Sequence, residues 1–159
     1  MIPLQNNDRY IGQLLVKDGI ITTDDLEKGL QEQKRNAFHL CTNLVRLGFA
    51  SEERIFSILS LQIGVPFVSL KEVKVDPRAL NLMPANFAKA FGCLPLKCID
   101  DVVYLAMSDP LNAKAVEEIK VYLGVSKLKI FLAGDIDIDE AIKSRYNIKT
   151  SGITSYLHP

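Results

Sequence analysis

The sequence predicts an α+β fold: an N-terminal helical subdomain of two helix-turn-helix repeats, then a small C-terminal α+β subdomain with about three strands. Three observations predict it. Residues 10 to 33, YIGQLLVKDGIITTDDLEKGLQEQ, recur 29 positions later as residues 39 to 62, HLCTNLVRLGFASEERIFSILSLQ, sharing Leu15/Leu44, Val16/Val45, Gly19/Gly48, Leu30/Leu59 and Gln33/Gln62. Both copies space apolar residues at helical intervals around a turn glycine. Beyond Gly64 the chain instead alternates short β-rich apolar runs with helical stretches.

In the first copy Asn6, Asn7 or Asp8 caps a short helix that carries Ile11, Leu14 and Leu15 on one face and stops at Gly19. Thr22 caps the next helix, with Asp24 and Asp25 in its first turn and Leu26, Leu30 and Gln33 on one face. The second copy repeats this with Leu40, Leu44 and Val45, then Gly48, the cap Ser51 with Glu52 and Glu53, and Ile55, Leu59 and Gln62. Two such hairpins form a small bundle, not a solenoid, which needs three or more units. VPFVSL, residues 65 to 70, is β-rich, and Pro66 ends any continuation of the helix.

The subdomain boundary falls after residue 70, and the second unit spans residues 71–146. Pro77 to Phe91 reads as two short helices broken at Pro84. Leu94 to Ile99 and Val102 to Met107 are strands joined by a tight hairpin at Asp100-Asp101. A helix from Asn112 to Leu123, stopped by Gly124, leads to a third strand, Leu128 to Leu132, and a last helix from Asp137 or Asp139 to Tyr146. Residues 147–159 read as a tail or linker.

Composition narrows the function. With 19 basic and 19 acidic residues, the chain has no electrostatic footprint for DNA or RNA. It shows neither a signal peptide nor an apolar run long enough for a membrane span, so a cytoplasmic location is expected. Cys41, Cys93 and Cys98, with only His39 and His158 beside them in composition, do not make a zinc set, and no metal is expected; the thiols read as small apolar residues. GDIDIDE, residues 134 to 140, fails as a calcium loop because Glu140 stands where glycine is needed and Tyr146 where glutamate is needed; it reads as an acidic helix N-terminus.

No Gly is followed five residues later by Gly-Lys-Ser/Thr, so no phosphate-cradling ATPase site is expected here. His39 and Cys41, two residues apart on a helix, point in different directions and do not make a catalytic pair, so the chain reads as no enzyme. Ser108-Asp109-Pro110 lies where a strand ends and a helix begins, either a turn and cap or a rigidly held ligand carboxylate. Gln33 and Gln62 place an amide at the same point of each copy, either bonding nearby backbone or offering hydrogen bonds to a ligand across both hairpins.

The doubled frame, Gly12 to Gly19 followed by Leu26, Leu30 and Gln33 and repeated through Gln62, resembles the N-terminal domain of type II secretion and type IV pilus assembly ATPases, as in GspE, PilB and MshE. LPLKCIDDVVYLAMSDPLN, residues 94 to 112, is similar to the α+β part of that family. The resemblance implies a non-catalytic regulatory and docking domain that recruits an ATPase to the inner membrane through its platform proteins. It alternatively implies a sensor for cyclic di-GMP, the one ligand expected. Carried over from the family motif, the ligand residues are Arg9, Ile11, Gly12, Leu26, Leu30, Gln33, Leu40, Leu59 and Gln62, with Asp109 accepting from a guanine edge. The sequence departs from the motif where the ligand charge would be met. Tyr10 and His39 stand at the two arginine positions, and Cys41 at the second glycine. A histidine largely uncharged near neutral pH is a poor substitute for guanidinium. Losing two charged hydrogen bonds weakens binding by roughly 10² to 10⁴.

Overall fold

The computed structural model describes residues 4–146. Four helices come first: α1 (Leu4–Lys17), α2 (Thr23–Arg35), α3 (Leu40–Arg46) and α4 (Glu52–Ile63). They form the two expected helix-turn-helix copies. Gly19 (φ 71°) and Gly48 (φ 77°) take the left-handed backbone of each turn. The second helix of each copy starts on its expected cap: Thr22 Oγ1 accepts from the Asp25 N–H at 3.1 Å, and Ser51 Oγ from the Arg54 N–H at 3.3 Å. Asp25 completes a capping box by accepting from the Thr22 N–H at 2.9 Å. The expected start of the first helix at Asn6 to Asp8 is corrected. α1 begins at Leu4, and Asp8 lies inside the helix, 6% exposed, where its carboxylate accepts from Gln33 Nε2 and from the backbone N–H of Leu40 at the start of α3 instead of capping α1.

The second half contains a 3-10 turn (Ala79–Leu82), α5 (Ala85–Phe91), β1 (Cys93–Ile99), β2 (Val102–Met107), α6 (Ala113–Leu123), β3 (Leu128–Leu132) and α7 (Asp135–Arg145). The sheet runs β1-β2-β3, antiparallel and then parallel, with α6 as the crossover. Asp100 and Asp101 both have positive φ, 50° and 63°, the geometry of a type I′ hairpin, which aspartate tolerates better than most residues. VPFVSL is not a strand of its own. It contributes one parallel bridge, Phe67 to Leu132, through Leu132 N–H to Pro66 O at 2.8 Å and Val68 N–H to Leu132 O at 2.9 Å. α7 begins two residues before the earliest expected start. Residues 147–159 lie outside the described residues.

Two apolar cores result. Ile11, Leu15, Leu26, Leu40, Leu44, Ile55 and Leu59 fill one, together with Leu111 and Leu132 from the second half. Leu94, Leu105, Met107, Ile119, Ile138 and Ile142 fill the other. Full burial of each such side chain contributes roughly 1.5–3 kcal/mol. The cores abut where the α7 N-terminus meets α3 and α4. All three cysteines are free thiols; Cys41 and Cys93 are buried as small apolar residues, whereas Cys98 is exposed and departs from that part of the expectation.

Candidate functional site

After α2, the side-chain amides of Asn36 and Asn43 bond to each other in both directions, at 2.9 and 3.1 Å, and Asn36 Oδ1 also accepts from the Phe38 N–H at 2.9 Å. This folds the short connection back so that His39, the first residue before α3, meets the start of α7. Asp135 Oδ2 accepts from the His39 N–H at 2.8 Å and lies 2.7 Å from His39 Nδ1, while Asp135 Oδ1 accepts from Thr42 Oγ1 at 2.5 Å. α3 has no side-chain cap of its own. Asp135, 96 positions away in sequence, supplies the carboxylate that its N-terminus favours.

Burial pulls the His39 pKa down. The hydrogen bond and charge of Asp135, with the charges of Asp109 and Asp8 behind it, outweigh burial and hold it above the usual 6.5. His39 is therefore more readily protonated than an ordinary imidazole. For Asp135, burial alone raises the pKa, but His39 and Thr42 together bring it below the usual carboxylate value. Asp8 is raised by burial, partly offset by the Gln33 hydrogen bond.

Beside this pair lies a cleft of about 700 Å³ between the 37–39 connection, the end of α5, the β2–α6 turn and α7. Its charged lining residues are His39, Lys89, Asp109, Asp135 and Asp139. Gly92 (φ 57°) lets the chain pass under Ser108, whose N–H donates to Gly92 O at 3.0 Å; a Cβ there would stand 2.6 Å from Ser108 Oγ. Asn112 Oδ1 then caps α6, 3.1 Å from the Ala115 N.

Of the residues carried over from the motif, Asp109 alone lines this cleft. Ile11, Leu26, Leu40 and Leu59 are buried in the first core, and Leu30 packs against it. Gly12 is buried against Leu26, whose Cδ1 would be 2.2 Å from a Cβ. Gln33 donates to Asp8 and not to nearby backbone. Gln62 is exposed, and Arg9 pairs on the surface with Glu27 at 3.2 Å. Sequence reasoning missed Asp135, Thr42 and Asp8. GDIDIDE marked a helix start, but nothing in the sequence connects it to His39. Among the described residues no group of three or more His, Cys, Asp or Glu could hold a metal ion, and no helix is long and apolar enough to cross a membrane.

Residues 63–152, more than half of the chain, match the MshEN domain. The chain belongs to the MshEN domain family. It is 32% identical over 136 residues to the type IV pilus assembly ATPase PilB of Myxococcus xanthus, an alignment that takes in 86% of this chain and 24% of that protein. The chain thus spans about a quarter of the length of this relative. The solved structure of MshE with cdg (cyclic di-GMP) has a TM-score of 0.65 and 29% identity, covering 86% of this chain and 98% of that one. The N-terminal domain of XpsE shares the fold, with a TM-score of 0.57 and 21% identity over 85% of this chain and 92% of that one. As an MshEN domain, the chain is of the regulatory N-terminal class found in pilus and secretion ATPases.

Proposed function

We propose that this MshEN domain is a non-catalytic docking module that links a pilus-assembly or secretion ATPase, from the cytoplasmic side, to inner-membrane platform proteins. The observation that carries the reading is what occupies the two arginine positions of the motif. Tyr10 is 59% exposed on α1, and the His39 ring is engaged by Asp135 at 2.7 Å. Neither presents a guanidinium to a phosphate. The cleft is lined by three carboxylates, Asp109, Asp135 and Asp139, against Lys89 and a His39 already engaged by Asp135, a balance that disfavours a dianion. The leucines and turn glycines that give the hairpins their shape are kept, so the shape persists where the ligand chemistry does not. Two abutting cores support a division near residue 70.

A second reading, a cyclic di-GMP sensor, is favoured by the likeness to MshE with cdg over nearly all of that chain. Two measurements separate them. Immobilised domain is expected to retain the cytoplasmic segments of platform proteins, and failure to retain any sinks the docking reading. Calorimetry with cyclic di-GMP at about 100 μM, a concentration that detects even weak sites, is expected to give no binding heat. Saturable heat that disappears in Arg9→Ala establishes the sensor instead.

A further inference from the structure

Strand alternation puts Val103, Leu105 and Met107 of β2 on one side of the sheet and Tyr104 on the other. On the Tyr104 side, the register aligns Lys97, Tyr104 and Lys129 in one row across all three strands. Lys97 Nζ is 4.5 Å and Lys129 Nζ 5.3 Å from the Tyr104 ring centroid. Phe131, next on the same side of β3, lies with its ring 6.3 Å from that of Tyr104. With Val73 and a third ammonium, Lys74, these side chains line an open groove of about 400 Å³.

No carboxylate lines this groove, and among the described residues none of its three lysines forms an ion pair. In a chain of zero net charge, that is a local excess of positive charge over an apolar floor. Lys97 and Lys129 are already held over the ring by cation–π attraction, so ordering them on binding costs less side-chain entropy. A concave floor flanked by cations suits a chain segment with acidic and apolar side chains better than a flat bilayer.

We infer that the Lys97–Tyr104–Lys129 row and the adjoining Phe131 form a docking groove for an acidic, apolar-anchored peptide segment of a partner protein. This rests on the docking reading above and assigns it a surface and a partner chemistry.

The test uses the 159-residue chain and a fluorescein-labelled peptide of alternating Asp and Leu, with a Lys/Leu peptide as control, followed by anisotropy. The acidic peptide is expected to bind and the basic one not. Binding is expected to weaken as salt rises from about 0.05 to 0.5 M, and by roughly tenfold or more in Lys97→Glu/Lys129→Glu. Both lysines are exposed, so the variant is expected to melt like the parent; Lys97→Gln/Lys129→Gln, expected to show a smaller loss in the same direction, covers the case in which reversal disturbs folding. Absence of acidic-peptide binding, or equal binding by parent and variants, overturns the inference. Lysine-dependent sedimentation with phosphatidylglycerol vesicles, without peptide binding, also overturns it and assigns the groove to lipid. Platform segments retained equally by parent and Lys97→Glu/Lys129→Glu leave docking in place and remove it from this groove. Lysine-dependent peptide binding with no platform segment retained keeps the groove and sinks the platform reading.

Discussion

One carboxylate, Asp135, accepts from the His39 ring, the His39 N–H and the Thr42 hydroxyl, and both members of the His39–Asp135 pair are largely buried, their side chains 12% and 17% exposed. Replacing Asp135 by Asn leaves the shape but removes the charge that offsets burial of the imidazolium. Such a change is expected to cost about 2–4 kcal/mol, measured by urea unfolding at about pH 6, where the pair is charged on both sides. In the parent, the His39 ring titrates above 6.5. In Asp135→Asn, burial prevails and NMR should place it below that value, an outcome that simple loss of packing does not produce. The cysteines divide by the same logic. Burial pushes the Cys41 thiol up strongly and that of Cys93 to about 12, while Cys98 is exposed. An aromatic disulfide reagent should therefore modify Cys98 alone in the native chain and all three thiols after unfolding; rapid modification of Cys41 at neutral pH contradicts the packing described.

The two hairpins answer why copies so alike differ at Gly12 and Cys41. Gly12 faces Leu26, and a Cβ there would stand 2.2 Å from Leu26 Cδ1, within a core that leaves Leu26 4% exposed and little room to turn. In the second copy, Ile55 takes the place of Leu26, and Cys41 is accommodated in the same core, 3% exposed. Gly12→Ala is expected to destabilise by about 1–3 kcal/mol through overpacking, despite the helix propensity that alanine adds, and the urea midpoint will report it; a rise in midpoint shows that Leu26 yields. Helices of this kind were legible in the sequence because caps, turn glycines and 3.6-residue periodicity are local signals, as at Thr22, Ser51, Asn112 and Gly124. The Asp100-Asp101 hairpin was legible for the same reason. The start of α1 was not, because Asp8 looks like a cap until Gln33, 25 residues on, gives its carboxylate a partner. VPFVSL has strand composition, but it meets only the end of β3. The tie from His39 to Asp135 depends on how two separate units meet, which no local pattern encodes.

That meeting ties the two cores together at the first turn of α7. Asp135 holds His39 and Thr42 of the helical half, the Glu52 carboxyl of α4 is hydrogen-bonded to Asp137, and the Phe56 ring lies against Gly134, 3.4 Å from where a Cβ would stand. Glu52 is raised from 4.5 to about 7, first by that hydrogen bond and then by burial. A carboxyl whose folded pKa lies above its unfolded one stabilises the fold fully below pH 4.5, and the contribution is lost as pH rises through about 7. His39, also raised, contributes fully below 6.5 and loses its contribution as pH rises through its folded value. Asp8, raised chiefly by burial, acts in the same direction. Asp135, being lowered, opposes them only in acid, as pH falls below 3.8. Three of these four shifts therefore favour mildly acidic conditions, and the seam between the cores weakens as the solution turns alkaline. Calorimetric melting should show Tm falling steadily between about pH 5 and pH 8. Glu52→Gln, which donates to Asp137 at every pH as the protonated acid does, should flatten the decline up to about pH 7 and leave the later part due to His39. A Tm that rises over the same range in the parent means that the folded chain binds fewer protons there than the unfolded one, and overturns the raised Glu52 and His39 as the groups that set the seam's pH dependence.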